Sequence, residues 1–175
     1  MNVVVAALVA STAVAAMQKA LDSSAEWTME RRIGGSGKVL VSSGTVRCEK
    51  DKGIVWHVKE PFESSVEMTP DSMVLSDDDG VVVKPLAQLP RYAEVRRAVD
   101  AFAGGDTNAF AGVFSTNLSE FPDGGWRMTV KPESRAMRRL VTEVEISGAA
   151  LPTNVVLTSP SGVSVVRFRE SSSAK

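Results

Sequence analysis

The chain has 175 residues, 43% hydrophobic and 23% charged side chains, and a formal net charge of −1, which suits one globular domain with a sizeable core and excludes a disordered chain or a fibre. Near-neutral charge argues against nucleic acid as a partner, because that binding needs a basic face to neutralise phosphates, and Arg96–Arg97 and Arg138–Arg139 are too isolated to make one. Cys48 is the single cysteine and His57 the single histidine, so an internal disulfide and a Cys-x-x-Cys metal site are excluded, and a zinc centre or Ser-His-Asp triad would have to be built around His57.

Val3 to Ala16 is apolar and rich in small residues, and too short for a membrane span of about 20 apolar residues. It reads either as the core of a secretory signal, with Ala13, Ala15 and Ala16 for a peptidase but no Lys or Arg before it, or as the first helix of the domain. Ala16–Ser24 continues as a short helix, and Glu26–Ile33 alternates as a strand with Trp27, Met29 and Arg31 on one side. Gly34-Gly35-Ser36-Gly37 is a hairpin turn rather than a phosphate loop, since a strand and not a Lys-Ser/Thr helix follows. Val39–Cys48 is a long strand that turns through Glu49–Gly53 into Ile54–Lys59, whose apolar stripe is Ile54, Trp56 and Val58. That stripe breaks at Pro61 and Phe62, as though the sheet bends there. Glu63–Met68 and Ser72–Ser76 form a hairpin around Thr69-Pro70-Asp71, and Asp77-Asp78-Asp79-Gly80 is a solvated acidic turn without the spacing or closing glutamate of an EF-hand. Val81–Lys84 is a further short strand.

The character changes at Pro90. Pro90–Ala103 begins with proline, ends before Gly104-Gly105 and carries Tyr92, Val95, Val99 and Phe102 three and four residues apart, which predicts an amphipathic helix. Asp106 caps a second short helix through Phe110. Strands return at Val113–Phe121, Trp126–Lys131, Leu140–Ser147, Val155–Thr158 and Val163–Arg169, with a one-turn helix near Glu133–Met137 and a tail at Ser171–Lys175. Strands, a helical insert and more strands, all joined by hairpin-type connections, imply one α+β domain: a strongly curved, mainly antiparallel sheet with helices on one face.

Read in order, Gly35-Ser36-Gly37, Ser43-Gly44-Thr45-Val46, Trp56 to Pro61, Val74-Leu75-Ser76-Asp77 to Gly80, Gly125-Trp126, Lys131-Pro132 and Val165–Phe168 resemble the LolA-like outer-membrane lipoprotein carrier family, in particular its shorter members tied to lipid or glycolipid export. The resemblance covers about Ala16 to Glu170. It implies an unclosed half β-barrel with helices covering the concave apolar face, and a single carrier domain over residues 16–170. The hollow for acyl chains would be lined by Trp56, Val58, Phe62, Val66, Met68, Leu75, Tyr92, Val95, Val99, Phe102, Phe110, Phe114, Trp126, Met128, Leu140 and Val144. Lys50 or Lys52 falls near the place of a family basic residue, an arginine in many members, that holds the lid closed. A solid core would use the same apolar residues; the family pattern favours the hollow for the set. Against the best-known carriers of the family the chain is short, and the resemblance then implies that their extra C-terminal strand and loop are missing and that the cargo is a lipid or glycolipid rather than a triacylated lipoprotein.

The resemblance implies a periplasmic protein of a Gram-negative bacterium that shields an acylated lipoprotein or a (glyco)lipid and passes it from inner-membrane export machinery to an outer-membrane acceptor. A monomer without cofactor or metal is expected. The alternative on the same fold is an envelope sensor or protein-interaction module. Catalysis is not expected: His57 faces away from the apolar stripe by strand parity, and no Gly-x-Ser-x-Gly nucleophile motif occurs.

Overall fold

The structure, a computed structural model, describes residues 24–49, 53–89, 112, 114–123, 125–149 and 152–170. These form eleven strands: β1 (Ser24–Ile33), β2 (Val39–Glu49), β3 (Gly53–Glu60), β4 (Ser64–Met68), β5 (Ser72–Asp77), β6 (Gly80–Pro85), β7 (Phe114–Glu120), β8 (Trp126–Pro132), β9 (Glu143–Gly148), β10 (Pro152–Ser159) and β11 (Gly162–Glu170). A 3-10 turn covers Leu86–Gln88, and the one-turn helix α1 covers Arg135–Arg138.

All strands belong to one sheet of order β6-β5-β4-β3-β2-β1-β11-β10-β9-β8-β7. Every pairing is antiparallel, so the chain is two meanders, β1–β6 and β7–β11, sewn together where β1 pairs with β11, Ala25 opposite Glu170 through Ile33 opposite Gly162. Among the described residues the sheet is not closed, and β6 and β7 are its edges.

Local chemistry explains the turns. Gly35 and Gly37 take φ of 77° and 65° in the β1–β2 hairpin, a region that side chains disfavour. Thr69 Oγ1 accepts from the Ser72 amide at 2.9 Å and closes the β4–β5 turn. Asp77 Oδ1 accepts from the Asp79 amide at 3.0 Å, so the acidic triplet is an Asx-type turn between β5 and β6. Ser134 caps α1 by accepting from the Met137 amide at 3.1 Å.

One expected boundary is corrected. The strand predicted from Leu140 begins at Glu143, because the amides of Leu140 and Val141 donate to the Met137 carbonyl and prolong the α1 turn. Val39, the first residue of β2, is 49% exposed, since β3 pairs with β2 only from Ser43 onward. The predicted helices over Ala16–Ser24, Pro90–Ala103 and Asp106–Phe110 lie outside the described residues, apart from Ser24, which opens β1.

Candidate functional site: the apolar face

Strand alternation sends one side chain in two to each face, and here one face is apolar from β5 to β8. Ala25 and Trp27 of β1, Val46 of β2, Ile54, Trp56 and Val58 of β3, Val66 and Met68 of β4, and Met73 of β5 are all buried. Across the seam the face continues through Phe168 and Val166 of β11, Val155 and Leu157 of β10, Val144 and Ile146 of β9, and Met128 and Val130 of β8. They form one hydrophobic cluster. The opposite face carries the charges: Arg167 meets Glu30 at 2.9 Å, Lys131 meets Glu143 at 2.9 Å, and Arg127 meets Glu145 at 3.4 Å. His57 also points there, with Nε2 3.2 Å from Glu63 Oε1, as strand parity predicts.

The centre of the apolar face is aromatic. Trp27 and Trp56 stand on β1 and β3, with β2 between them, yet their rings stack at 4.6 Å and 22°. Gly44 permits this: it lies opposite Trp27 in the ladder, and a Cβ there would run into the His57 carbonyl oxygen and come within 2.9 Å of Trp27 Cζ2. The ladder shifts register between Ser43 and Gly44, which kinks β2 against β3 at the same point. Trp56 also meets Phe168 of β11 edge to face at 6.1 Å. Those strands are three steps apart, about 14 Å in a flat sheet, so the side chains converge as they do on the concave side of a curled sheet. Trp27 Nε1 is buried without a hydrogen-bond partner among the described residues, a condition that costs about 1–3 kcal/mol.

Of the residues predicted to line a hollow, Trp56, Val58, Val66, Met68, Met128 and Val144 are buried in the cluster, and Leu75, Phe114, Trp126 and Leu140 are half-buried against it. Phe62 is a correction: it lies in the β3–β4 turn and is 79% exposed, because the alternation that would turn it inward stops at Pro61. Tyr92, Val95, Val99, Phe102, Phe110, Lys50 and Lys52 lie outside the described residues. Sequence reasoning left out Trp27, Val46, Ile146, Val155, Val166 and Phe168, the heart of the cluster. Their signal was present in the alternation of β1, β2, β9, β10 and β11, but it did not reveal that β1 and β11 pair. On the polar face a shallow depression of about 210 Å³ lies among Glu26, Thr28, Ser43, Lys59, Arg167 and Arg169. Among the described residues no group of acidic, histidine or cysteine side chains is placed to hold a metal ion, and no helix is long and apolar enough to cross a membrane.

No family model matches the chain, and no curated protein matches its sequence. Solved structures do. The chain is similar to a LolA superfamily protein from Nitrosomonas europaea at 13% identity and a TM-score of 0.41, with 90% of this chain and 91% of that chain covered. It is similar to a putative outer membrane lipoprotein-sorting protein domain from Vibrio parahaemolyticus at 8% identity and a TM-score of 0.41, covering 95% of each. A third similarity is to the MucA/MucB complex of Pseudomonas aeruginosa at 14% identity and a TM-score of 0.45, covering 93% of this chain and 56% of that chain.

Proposed function

We propose that the chain is a periplasmic carrier whose apolar face shields the acyl chains of a lipoprotein, lipid or glycolipid from water during transfer toward the outer membrane. The observation that carries this is a continuous apolar face on a sheet that stays open, with edges β6 and β7 joined only by residues 86–113. That connection has to pass from one edge of the sheet to the other. A helix over Pro90–Ala103, carrying Tyr92, Val95, Val99 and Phe102 on one side, is suited to lie across the concave face as a lid. Opening it would expose apolar area for cargo, and each methylene then buried contributes about 0.8 kcal/mol, so two or three acyl chains bind strongly but reversibly. The unpartnered indole N–H of Trp27 offers a donor for the ester or amide carbonyl at the head of such a chain. No catalytic step is part of this reading.

The test is titration of the purified chain with a fluorescent fatty acid. Saturable binding, displaced by a phospholipid or a diacylglyceryl peptide, is expected. A chain that binds none of them contradicts the proposal.

A further inference from the structure

All six residues of β6 are exposed, and three of them are valines: Val81, Val82 and Val83 are 66, 53 and 59% exposed. Alternation opposite β5 places Val82 on the concave side with Leu75, and Val81 and Val83 on the outer side with Ser76 and Val74. A strand that is apolar on both faces has the composition of one covered on both faces, not of a solvated edge. Yet β6 is an edge, with no strand beyond it among the described residues. The other edge, β7, is polar on its outer side, where Ser115, Asn117 and Ser119 stand. Beyond Pro85 the chain turns through Leu86–Gln88, and Leu89 packs against the hydrophobic cluster. It therefore heads for the concave face and not along the free edge of β6.

The backbone and the charges of this edge suit a second copy of itself. The two-residue loop Asp78-Asp79 makes Asp77 and Gly80 a hydrogen-bonded pair. Alternation then turns the N–H and C=O of Val82 toward β5, and those of Val81 and Val83 outward. Pro85, without an N–H, ends the strand. The acidic turn Asp77-Asp78-Asp79 leads into the strand and Lys84 lies near its other end. A second β6 laid antiparallel about a two-fold axis through Val82 sets Val82 against Val82 of the second copy and Val81 against its Val83. In that register Lys84 faces Gly80 and lies diagonal to Asp78 of the second copy. Moving the axis to Val81 or Val83 would set Val83 against Asp79, or Val82 against Lys84. Only the Val82 axis pairs every valine with a valine and keeps the lysine beside the acidic turn.

We propose that two copies of the chain dimerise by antiparallel pairing of β6 with β6, which extends one sheet across both. A two-fold axis normal to the sheet leaves the two concave faces on the same side, joined at Val82. The contact spans a single short strand, so it is small and the dimer forms reversibly with concentration. Such a dimer departs from the monomer expected from the sequence. It needs no acyl chain, so dimerisation and cargo binding are separable.

The experiment is sedimentation velocity of the full chain over a concentration series. A monomer–dimer equilibrium is expected, with a midpoint on the order of 10–100 μM. Val81→Lys puts a charge on the edge, and Val83→Pro removes an outward N–H without breaking a bond to β5; each should weaken dimerisation by about tenfold or more. The melting temperature of Val81→Lys should stay unchanged, since the side chain is exposed. Lys84→Glu should weaken the dimer, and adding Asp78→Lys should restore it. In a Cys48→Ser background, Val82→Cys should cross-link two copies under mild oxidation. Val81→Cys should do so about tenfold more slowly, because its counterpart lies diagonally at about 7–8 Å. A chain that stays monomeric up to about 1 mM, a dimer indifferent to Val81→Lys and Val83→Pro, or equal cross-linking from positions 81 and 82 overturns the proposal. Slow hydrogen exchange of the Val81 and Val83 amides in the dilute monomer also overturns it, and assigns the edge to a segment of the same chain. Fatty-acid binding measured on the same samples reports on the carrier reading independently.

Discussion

Gly44 decides how the aromatic centre is built. Without a side chain at that position the Trp27 indole crosses β2 and stacks on Trp56. Gly44→Ala forces the added methyl against backbone, and a loss of about 1–3 kcal/mol is expected, measured by urea unfolding, with a changed near-ultraviolet circular dichroism signal as the indoles separate. Trp56→Ala removes the ring that touches both Trp27 and Phe168 and should cost about 3–5 kcal/mol; a loss below about 1 kcal/mol would mean that the face is loosely packed. At this scale the sequence was informative where alternation was unbroken, as at Ile54, Trp56 and Val58. It misled at Phe62, where the stripe had ended at a proline turn, and it was silent on the indole stack, because nothing local says that two tryptophans separated by one strand will meet over a glycine.

Strands with clean alternation were legible to within a residue or two, β1, β2, β3 and β5 among them. The boundaries that moved did so for reasons of hydrogen bonding: β9 starts late because α1 retains the amides of Leu140 and Val141, and β10 starts early at Pro152, where a register shift follows. Two predictions belong here. The Arg167–Glu30 pair joins β11 to β1 on the exposed face, with side chains 53% and 43% exposed. Arg167→Ala should therefore change stability by less than about 1 kcal/mol, and a larger loss in thermal unfolding would give the seam an electrostatic role. The second compares a position of the proposed lid with the sheet. Phe102→Glu should weaken fatty-acid binding with little change in melting temperature, because a lid that opens to water tolerates a charge. Val155→Glu, at a position with 0% exposure, should unfold the chain, since a buried unpaired charge costs several kcal/mol. Unfolding by Phe102→Glu would make the predicted helix part of a solid core.

For the whole molecule, a strongly curved, mainly antiparallel sheet followed from strands on either side of a predicted helical insert, and the resemblance carried by the order of weak motifs implied that the sheet stays unclosed. What the sequence did not disclose is that β1 and β11, at opposite ends of the domain, form the central seam, and that the two edges are connected through residues 86–113. Such pairings are long-range and leave no local periodicity. They explain why the list of lining residues favoured β3 and β4 and left out Phe168 and Val155.

The central claim is that the apolar face holds acyl chains. Its most direct test is mass spectrometry of an organic extract from the chain purified from a Gram-negative periplasm without detergent. The account predicts acyl-bearing species in near-stoichiometric amount, depleted in the extract of Phe102→Glu. An extract free of acylated molecules, from a folded chain that also fails to take up a fluorescent fatty acid, would contradict it.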